Sequence, residues 1–494
     1  MPATRTRRAI EPLGAVLPTG SPAVSFVGQS MAPALKTLKL TRRSAVAGLV
    51  SALSCPAVAG LRREPDFDVL VIGAGAAGIA AGRRLLASNK KFAILESSDR
   101  MGGRCFTDTA TFNLPYDRGA CSIHLPAQSS LAKLAAQTGT ELYPDPERQQ
   151  FRVRGRNGLE KNLEEIHSKL ELEEFYADRV LCYAAIAQAA AGEDDISCAK
   201  ALPADLGDWR RTMEFVLGPY RFGAELTELS AKEYALSIYR RPARLCRQGV
   251  GALIEKLALG VPIKFFSPVT LVDWGERSVA LTTGEGVVTA RAAIVTASTA
   301  VLASGKIRFR PNLPSAYASA LEKLKLGCYD HVALTFNGNP LGLDANEVVF
   351  ERVYTNKTAA LFANVHATGL SLLTLAGRTG AELADKGENA MTDFALDWIS
   401  GVFGWRARNA VLRVHATSWT KDPWTLGAFS WAPPGAQEAR KALSEPLNDV
   451  VWFAGEAVHQ TFWGTVGGAW QNGERAADAV IARLDHNAPR SAGG

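Results

Sequence analysis

Hydrophobic positions change rhythm along the chain, and the changes mark its elements. Asp68 to Ile72 is a short β-branched run, the pattern of a buried parallel strand, and it breaks at Gly73, Gly75 and Gly78. Ala76 to about Ala87 predicts a helix ending at Ser88-Asn89, and Lys91 to Leu95 predicts a second strand, closed by Glu96. From about 126 to 244 the rhythm is helical: Leu163, Ile166 and Leu170 recur at i, i+3 and i+7, and an alanine-rich run reaches Ala191. Strand patterns return at Pro268 to Val272, then a polar hairpin, then Ala292 to Thr296 as a third buried strand. Further strands are predicted at His331 to Phe336, Ala359 to Val365 and Ser371 to Leu375. A last helix places Ala469, Gly473, Ala476, Ala477 and Val480 on one face.

The strand, glycine turn, helix and strand from Asp68 to Glu96 carry the first chemistry. Gly73 allows a tight turn, Gly75 lets a pyrophosphate approach the backbone, and Gly78 lets the helix pack on the strand. The unpaired N–H groups at the helix start attract phosphate. Glu96, an acid about 20 residues past the glycines at a strand end, is placed to accept from a ribose 2′-OH. This points to a dinucleotide without separating FAD from NAD.

Composition narrows the class. The 494 residues are 47% hydrophobic and 21% charged, a globular composition with length for two or three domains. The net charge of +6 resides in residues 1–59, where Arg5, Arg7, Arg8, Lys36, Lys39, Arg42 and Arg43 face one acid, Glu11. The remainder is balanced, so no nucleic acid or anionic membrane partner is implied. Thr41-Arg42-Arg43-Ser44 precedes the uncharged apolar run Ala45 to Val58, and Ala57-Val58-Ala59 reads as a cleavage site. Residues 1–59 therefore resemble a twin-arginine export leader, implying a periplasmic protein, with Met31 as an alternative start. A disordered basic extension and an organellar transit peptide stay open. The apolar run is too short to span a membrane, so no integral membrane segment is expected. The seven cysteines (Cys55, Cys105, Cys121, Cys182, Cys198, Cys246, Cys328) form no C-x-x-C pair and no histidine cluster, predicting no metal; a disulfide among the last six stays open.

The remaining motifs carry a family resemblance. Met101-Gly102-Gly103-Arg104 is similar to the GGR segment of flavin amine oxidases, and Tyr116 to His124 resembles their D-x-G-A-x-W-I-H with Ser122 at the aromatic position. Gly305 to Pro311, Trp419 to Ser430, Val451 to Glu456 and Gly464 to Ala469 continue it over nearly the whole mature chain. The chain thus resembles the flavin monoamine oxidase family (FAD-dependent amine oxidase superfamily), with features of its bacterial exported nicotine-type and polyamine-type members. The resemblance implies an α/β fold: a Rossmann-like FAD-binding domain (66–125, 245–310, 446–485) interleaved with an α+β substrate domain (126–244, 311–445).

The function it implies is FAD-dependent oxidation of an amine to an imine by hydride transfer to the flavin. Hydrolysis of the imine and reoxidation by O2, giving H2O2, or by an electron-acceptor protein would follow. An L-amino-acid oxidase or flavin desaturase on the same fold is the alternative. The implied cofactor residues are Gly73, Gly75, Ala76, Ala77, Gly78, Glu96, Ser97, Gly103, Arg104, Gly119, Ala120, Val269, Gly455, Glu456, Thr465 and Val466. Phe429 and Thr465 would flank the substrate nitrogen, with Trp431 and Trp463 near, and Lys306 would hold a water against flavin N5. His124 is placed near the redox face. Ala428 stands where some members carry a flavin-linked cysteine, implying non-covalent FAD; Phe106 stands where amino-acid oxidases carry a carboxylate-clamping arginine, which favours plain amines. A homodimer is the further expectation.

Overall fold

Strand β1 (Phe67–Ile72) sits at the centre of a mixed sheet because Val69, Leu70, Val71 and Ile72 are apolar on both faces, as a strand covered by helices on each side requires. The computed structural model describes residues 64–145, 149–152, 169–237, 242–353, 355 and 357–486. The proposed leader, Leu163 and Ile166 lie outside them.

Helix α1 (Ala76–Ala87) follows the glycine turn, and β2 (Phe92–Leu95) then lies parallel to β1. Ile263–Lys264 continues the sheet beyond β2, while Gly286–Val295 and then Val451–Phe453 continue it on the other side, all parallel. Leu271–Trp274, Val279–Thr283 and Arg308–Arg310 complete eight strands. Alternate residues feed two cores. Val69, Val71, Ile94 and Ile294 pack under α1 and the last helix, and Leu70, Ile72, Leu95 and Val295 pack on the opposite face. The last helix, Val466–His486, crosses α1 so closely that a Cβ on Gly473 would lie 2.1 Å from the Ala77 carbonyl oxygen.

A second sheet has six strands in the order Val411–Ala416, Tyr329–Phe336, Leu370–Ala376, Ala360–Ala363, Glu347–Glu351 and Gln149–Arg152. Helices Gly377–Lys386 and Glu388–Phe403 cover one face through Ala384, Met391, Trp398 and Ile399. Helices Lys169–Ala190, Arg210–Leu217 and Ala231–Ser237 gather around Phe175, Trp209, Met213 and Tyr234.

The named strands and helices agree in type with the periodicity, except that the stretch expected to be helical also holds the strands Leu142–Pro144 and Gln149–Arg152, and the ends differ for local reasons. The third buried strand begins six residues earlier than Ala292, because its first half forms the hairpin with Val279–Thr283. It stops at Val295, where Thr296 Oγ1 donates to the Ile72 and Gly73 carbonyls at 2.7 and 3.1 Å. The strand expected to reach Val365 ends at Ala363, since Asn364 adopts a left-handed φ of 46°. That near Pro268 starts only at Leu271.

Candidate active site

One cavity of about 1520 Å³ runs from the β1–α1 turn to the face of the second sheet opposite the helices Gly377–Lys386 and Glu388–Phe403. Drug-sized ligands occupy roughly 300–1,000 Å³, so a dinucleotide and a substrate fit together. At the turn, the three glycines do different things. Gly73 has φ +98°, and a Cβ on Gly78 would lie 1.9 Å from the Gly73 oxygen, so both are demanded by the chain's own packing. A Cβ on Gly75 would meet nothing nearer than the Gly102 oxygen at 3.9 Å: this glycine is open toward the cavity, as a backbone that receives a ligand must be. Ala76, Ala77, Ser97, Gly103, Gly119, Ala120 and Val269 line the same space, whereas Gly78 does not.

Glu96 also lines it, but its carboxylate is engaged within the chain. Oε2 accepts from the Ala74 N–H at 2.7 Å, and Oε1 accepts from the Ser98 N–H at 2.8 Å and from its hydroxyl at 2.7 Å. Those bonds lock the turn and aim the remaining lone pairs; a ribose contact would share oxygens already in use.

The other end of the cradle is an ionic cluster that the sequence did not announce. Arg104 Nη1 donates to Glu456 Oε1 at 2.8 Å and to the Ala428 carbonyl at 2.6 Å. Glu456 further accepts from the Ser430 hydroxyl (2.7 Å) and the Gly464 N–H (2.7 Å). Behind it, Arg440 is 1% exposed and donates to Ser430 Oγ, the Ala457 carbonyl and Glu233. Burial pushes the Glu456 carboxyl upward, yet Arg104, the Ser430 hydroxyl and Arg440 hold it below its ordinary value. The carboxylate thus ties three segments that frame the cavity: 104, 428–430 and 456–464. Arg440 lies on the same helix face as buried Ala439 and Leu443, the one signal that could have found it.

Phe429, Thr465 and Trp463 meet on the cavity wall, where a Cβ on Gly464 would be 3.6 Å from Phe429 Cδ2. Trp431 is buried and not part of this wall. Thr465 caps the last helix: its Oγ1 accepts from the Gly468 N–H at 2.9 Å and donates to the Phe462 carbonyl at 2.7 Å. Its hydroxyl is therefore committed to backbone. Val466 lines the cavity at the positive end of a 21-residue helix. Beside Phe429 stands Tyr329, ring centroids 5.4 Å apart, in edge contact with His331. Thr374 joins them, its hydroxyl 3.3 Å from His331 Nδ1. Burial lowers His331 to about 4 and lifts the Tyr329 phenol well above its usual value, so both are uncharged near neutrality.

Lys306 lies at the cavity rim, where its Nζ donates to the Pro423 carbonyl at 2.7 Å and sits 5.8 Å from the Trp424 ring. Gly455 and His124 also line the cavity. Phe106 does not; the guanidinium groups of Arg100 and Arg118 lie 4.4 and 5.1 Å from its ring. The described cysteines are all unpaired. Among the described residues, no acid, histidine and cysteine group could hold a metal ion, and no helix is long and apolar enough to cross a membrane.

A model of the flavin containing amine oxidoreductases matches residues 76–481. The chain belongs to that family. The human lysine-specific histone demethylase 2 is 26% identical over 444 residues, covering 84% of this chain, which spans about half (53%) of that relative's length. Rice (Oryza sativa subsp. japonica) polyamine oxidase 4 is 27% identical over 84% of this chain and 89% of its own. The fold is that of cyclohexylamine oxidase from Brevibacterium oxydans, with a TM-score of 0.69 at 22% identity over 85% of this chain and all of that one. The cofactor of this flavoprotein family is FAD, and the residues fit it: an open backbone at Gly75, an acid closing β2 and a cavity long enough for a dinucleotide.

Proposed function

We propose that this protein oxidises the C–N bond of a small amine to an imine, which water hydrolyses. The observation that carries this is the continuity of one cavity, whose glycine-lined end fits FAD and whose other end is an aromatic wall around Phe429 and Trp463. Bound FAD supplies the acceptor for the two electrons leaving the amine. The chain's own residues do the rest. Phe429, Tyr329 and Trp463 exclude water and favour the neutral amine, the form whose lone pair can drive oxidation. Tyr329 and His331, uncharged near neutrality, leave the amine to enter already deprotonated instead of losing its proton to a wall base. Arg104 and Glu456 fix the loop that presents Phe429, and the N-terminus of Val466–His486 stabilises negative charge that develops beside it. Gly73, Gly75, Glu96, Gly103, Arg104, Val269 and Gly455 hold the cofactor, and Lys306, at the rim, places positive charge near its reactive end.

Anaerobic addition of candidate amines to yellow holoprotein tests the reading: one of them should bleach the flavin. A holoprotein that no amine bleaches overturns it. Peroxide release in air then distinguishes O2 from another electron acceptor. The arginine pair and apolar run of residues 1–59 support export to the periplasm as a twin-arginine substrate. Replacing Arg42 and Arg43 with lysine should trap the protein inside the cell; unchanged fractionation would remove that assignment.

A further inference from the structure

We propose that Phe266 is the face on which the adenine ring of bound FAD stacks, at the Glu96 end of the cavity. The assignment concerns the cofactor and stands or falls apart from the amine that is oxidised.

Three observations meet at this residue. It lines the cavity, and it is 73% exposed, unusual for a phenylalanine. Its backbone has φ +51°, a left-handed conformation that suits glycine or asparagine and is an outlier for a bulky side chain. Of the described non-glycine residues with such a φ, Phe266 is the one that lines the cavity. Two bonds hold the backbone there. The Phe266 N–H donates to the Ser98 carbonyl at 3.0 Å, and the Ser267 N–H donates to the Glu96 carbonyl at 2.7 Å. The loop is thus fastened to the segment after β2 on both sides of Ser97. Strain persists only where the surroundings fix it, and it gathers at sites that clamp ligands.

The chain itself makes no use of the ring. Among the described residues, no aromatic ring or cation contacts it, in contrast to Phe106, which has Arg100 and Arg118 against its ring. An apolar face is left to the cavity.

The neighbours of Phe266 decide what belongs against that face. An acid closing the second strand marks the adenosine ribose, so the base lies just beyond Glu96. Val269 also lines the cavity there and is 4% exposed, yet neither its N–H nor its C=O has a hydrogen-bond partner among the described residues. A buried peptide with both groups unpaired is rare in a chain's own packing. It matches a ligand edge that sets an acceptor nitrogen beside an amino group, as adenine does. A base held by its edge still has two faces, and proteins cover such faces with aromatic side chains. Phe266 supplies that side chain three residues before Val269.

Release of FAD from diluted holoprotein, followed by the fluorescence of the freed flavin, tests the assignment without turnover. Phe266→Asn removes the ring and suits the left-handed backbone. FAD should leave it about tenfold faster or more, while Phe266→Tyr, which keeps a ring, should stay within about threefold of the native rate. The flavin-free Phe266→Asn protein should melt no lower than the native one, because asparagine adopts this φ more readily than phenylalanine. The visible spectrum of the bound flavin should be the same in all of them, since the change lies at the adenine end. If Phe266→Asn does not accumulate, Phe266→Leu takes its place, because Leu426 already adopts φ 54° in this chain; it should release FAD faster than Phe266→Tyr. Native release from the ring-less variant overturns the proposal. Equal acceleration by the ring-less variant and Phe266→Tyr overturns it as well, making the loop responsible and not the ring. So does faster release accompanied by a lower melting temperature of the flavin-free protein, which would mark a structural role, or a shifted flavin spectrum, which would place Phe266 at the other end of the cofactor.

Discussion

The two ends of the cavity are built from different materials. The cofactor end is made of backbone: Gly73 and Gly78 leave no space for a Cβ, Gly75 opens toward the ligand, and Glu96 holds the turn with three hydrogen bonds. The substrate end is made of side chains, with Phe222, Tyr329, Phe429 and Trp463 as the wall and Arg221 fixed by Ser237 and Tyr183. Backbone geometry tolerates little change, because a single methyl group meets a carbonyl oxygen. Side-chain walls can be repainted residue by residue. A cofactor common to the family and a substrate particular to each member are what that division permits.

The hinge between the ends offers the severest way to break the contrast. Glu456→Gln leaves Arg104 without its buried carboxylate, at about 3–5 kcal/mol, while Arg440 keeps Glu233, and the substitution should release both FAD and the Phe429 loop. Urea unfolding and the flavin content of the purified variant measure it; full stability with full flavin would mean that the two ends are independent.

A paired substitution sharpens the comparison within the cofactor end. Gly78→Ala forces a methyl group against the Gly73 oxygen and should cost about 1–3 kcal/mol with or without flavin. Gly75→Val has no such clash within the chain, so apoprotein stability should stay within about 0.5 kcal/mol while the pyrophosphate site closes and the yellow colour is lost. A yellow Gly75→Val protein would show that no phosphate passes that glycine.

Lys306→Met should keep fold and flavin and slow flavin reduction or its reoxidation about tenfold, near 1.4 kcal/mol. Stopped-flow traces of both half-reactions check it. If neither moves, the bond to the Pro423 carbonyl is the residue's whole role.

The smallest effect concerns pH. Because burial lowers His331 to about 4, the native protein holds it neutral where the unfolded chain, with a value near 6.5, takes up a proton. Stability should therefore fall as pH drops below about 6.5, and His331→Gln should flatten that fall. Between about pH 5 and 8, kcat/KM should show no limb removed by this substitution; a limb that disappears would make His331 a working base.

Which parts could be read from the sequence follows from the same division. The cradle is local: strand, turn, helix and acid lie within Asp68 to Glu96, so spacing alone carries the geometry. Phe429 and Thr465 stand out by motif position, and the capping bonds of the Thr465 hydroxyl run to Phe462 and Gly468, each three residues away, so that role is local as well. Of the two tryptophans near the motifs, Trp463 faces the cavity and Trp431 does not, and nothing in their neighbours distinguishes them. Arg221 comes from a short helix, Tyr329 and His331 from one strand and Thr374 from its neighbour, and in sequence they look like any half-buried polar or aromatic residue. Substitution of Phe106 for a clamping arginine read as loss of positive charge, yet Arg100 and Arg118 stand against its ring, so charge there depends on tertiary neighbours as well as on the motif.

The crossing at which Gly473 meets the Ala77 carbonyl also sets a schedule. The glycine turn leaves the ribosome early, but the helix that backs it and carries Val466 to the cavity is made about 400 residues later, roughly 20–80 s at ordinary elongation rates. During that interval the nascent chain shows α1 with its packing face bare and no second wall against which FAD could settle. Flavin should therefore be captured by finished chains and not by growing ones. A chain cut before Val466 should be colourless and exposed at α1, whatever the quality of its glycine motif.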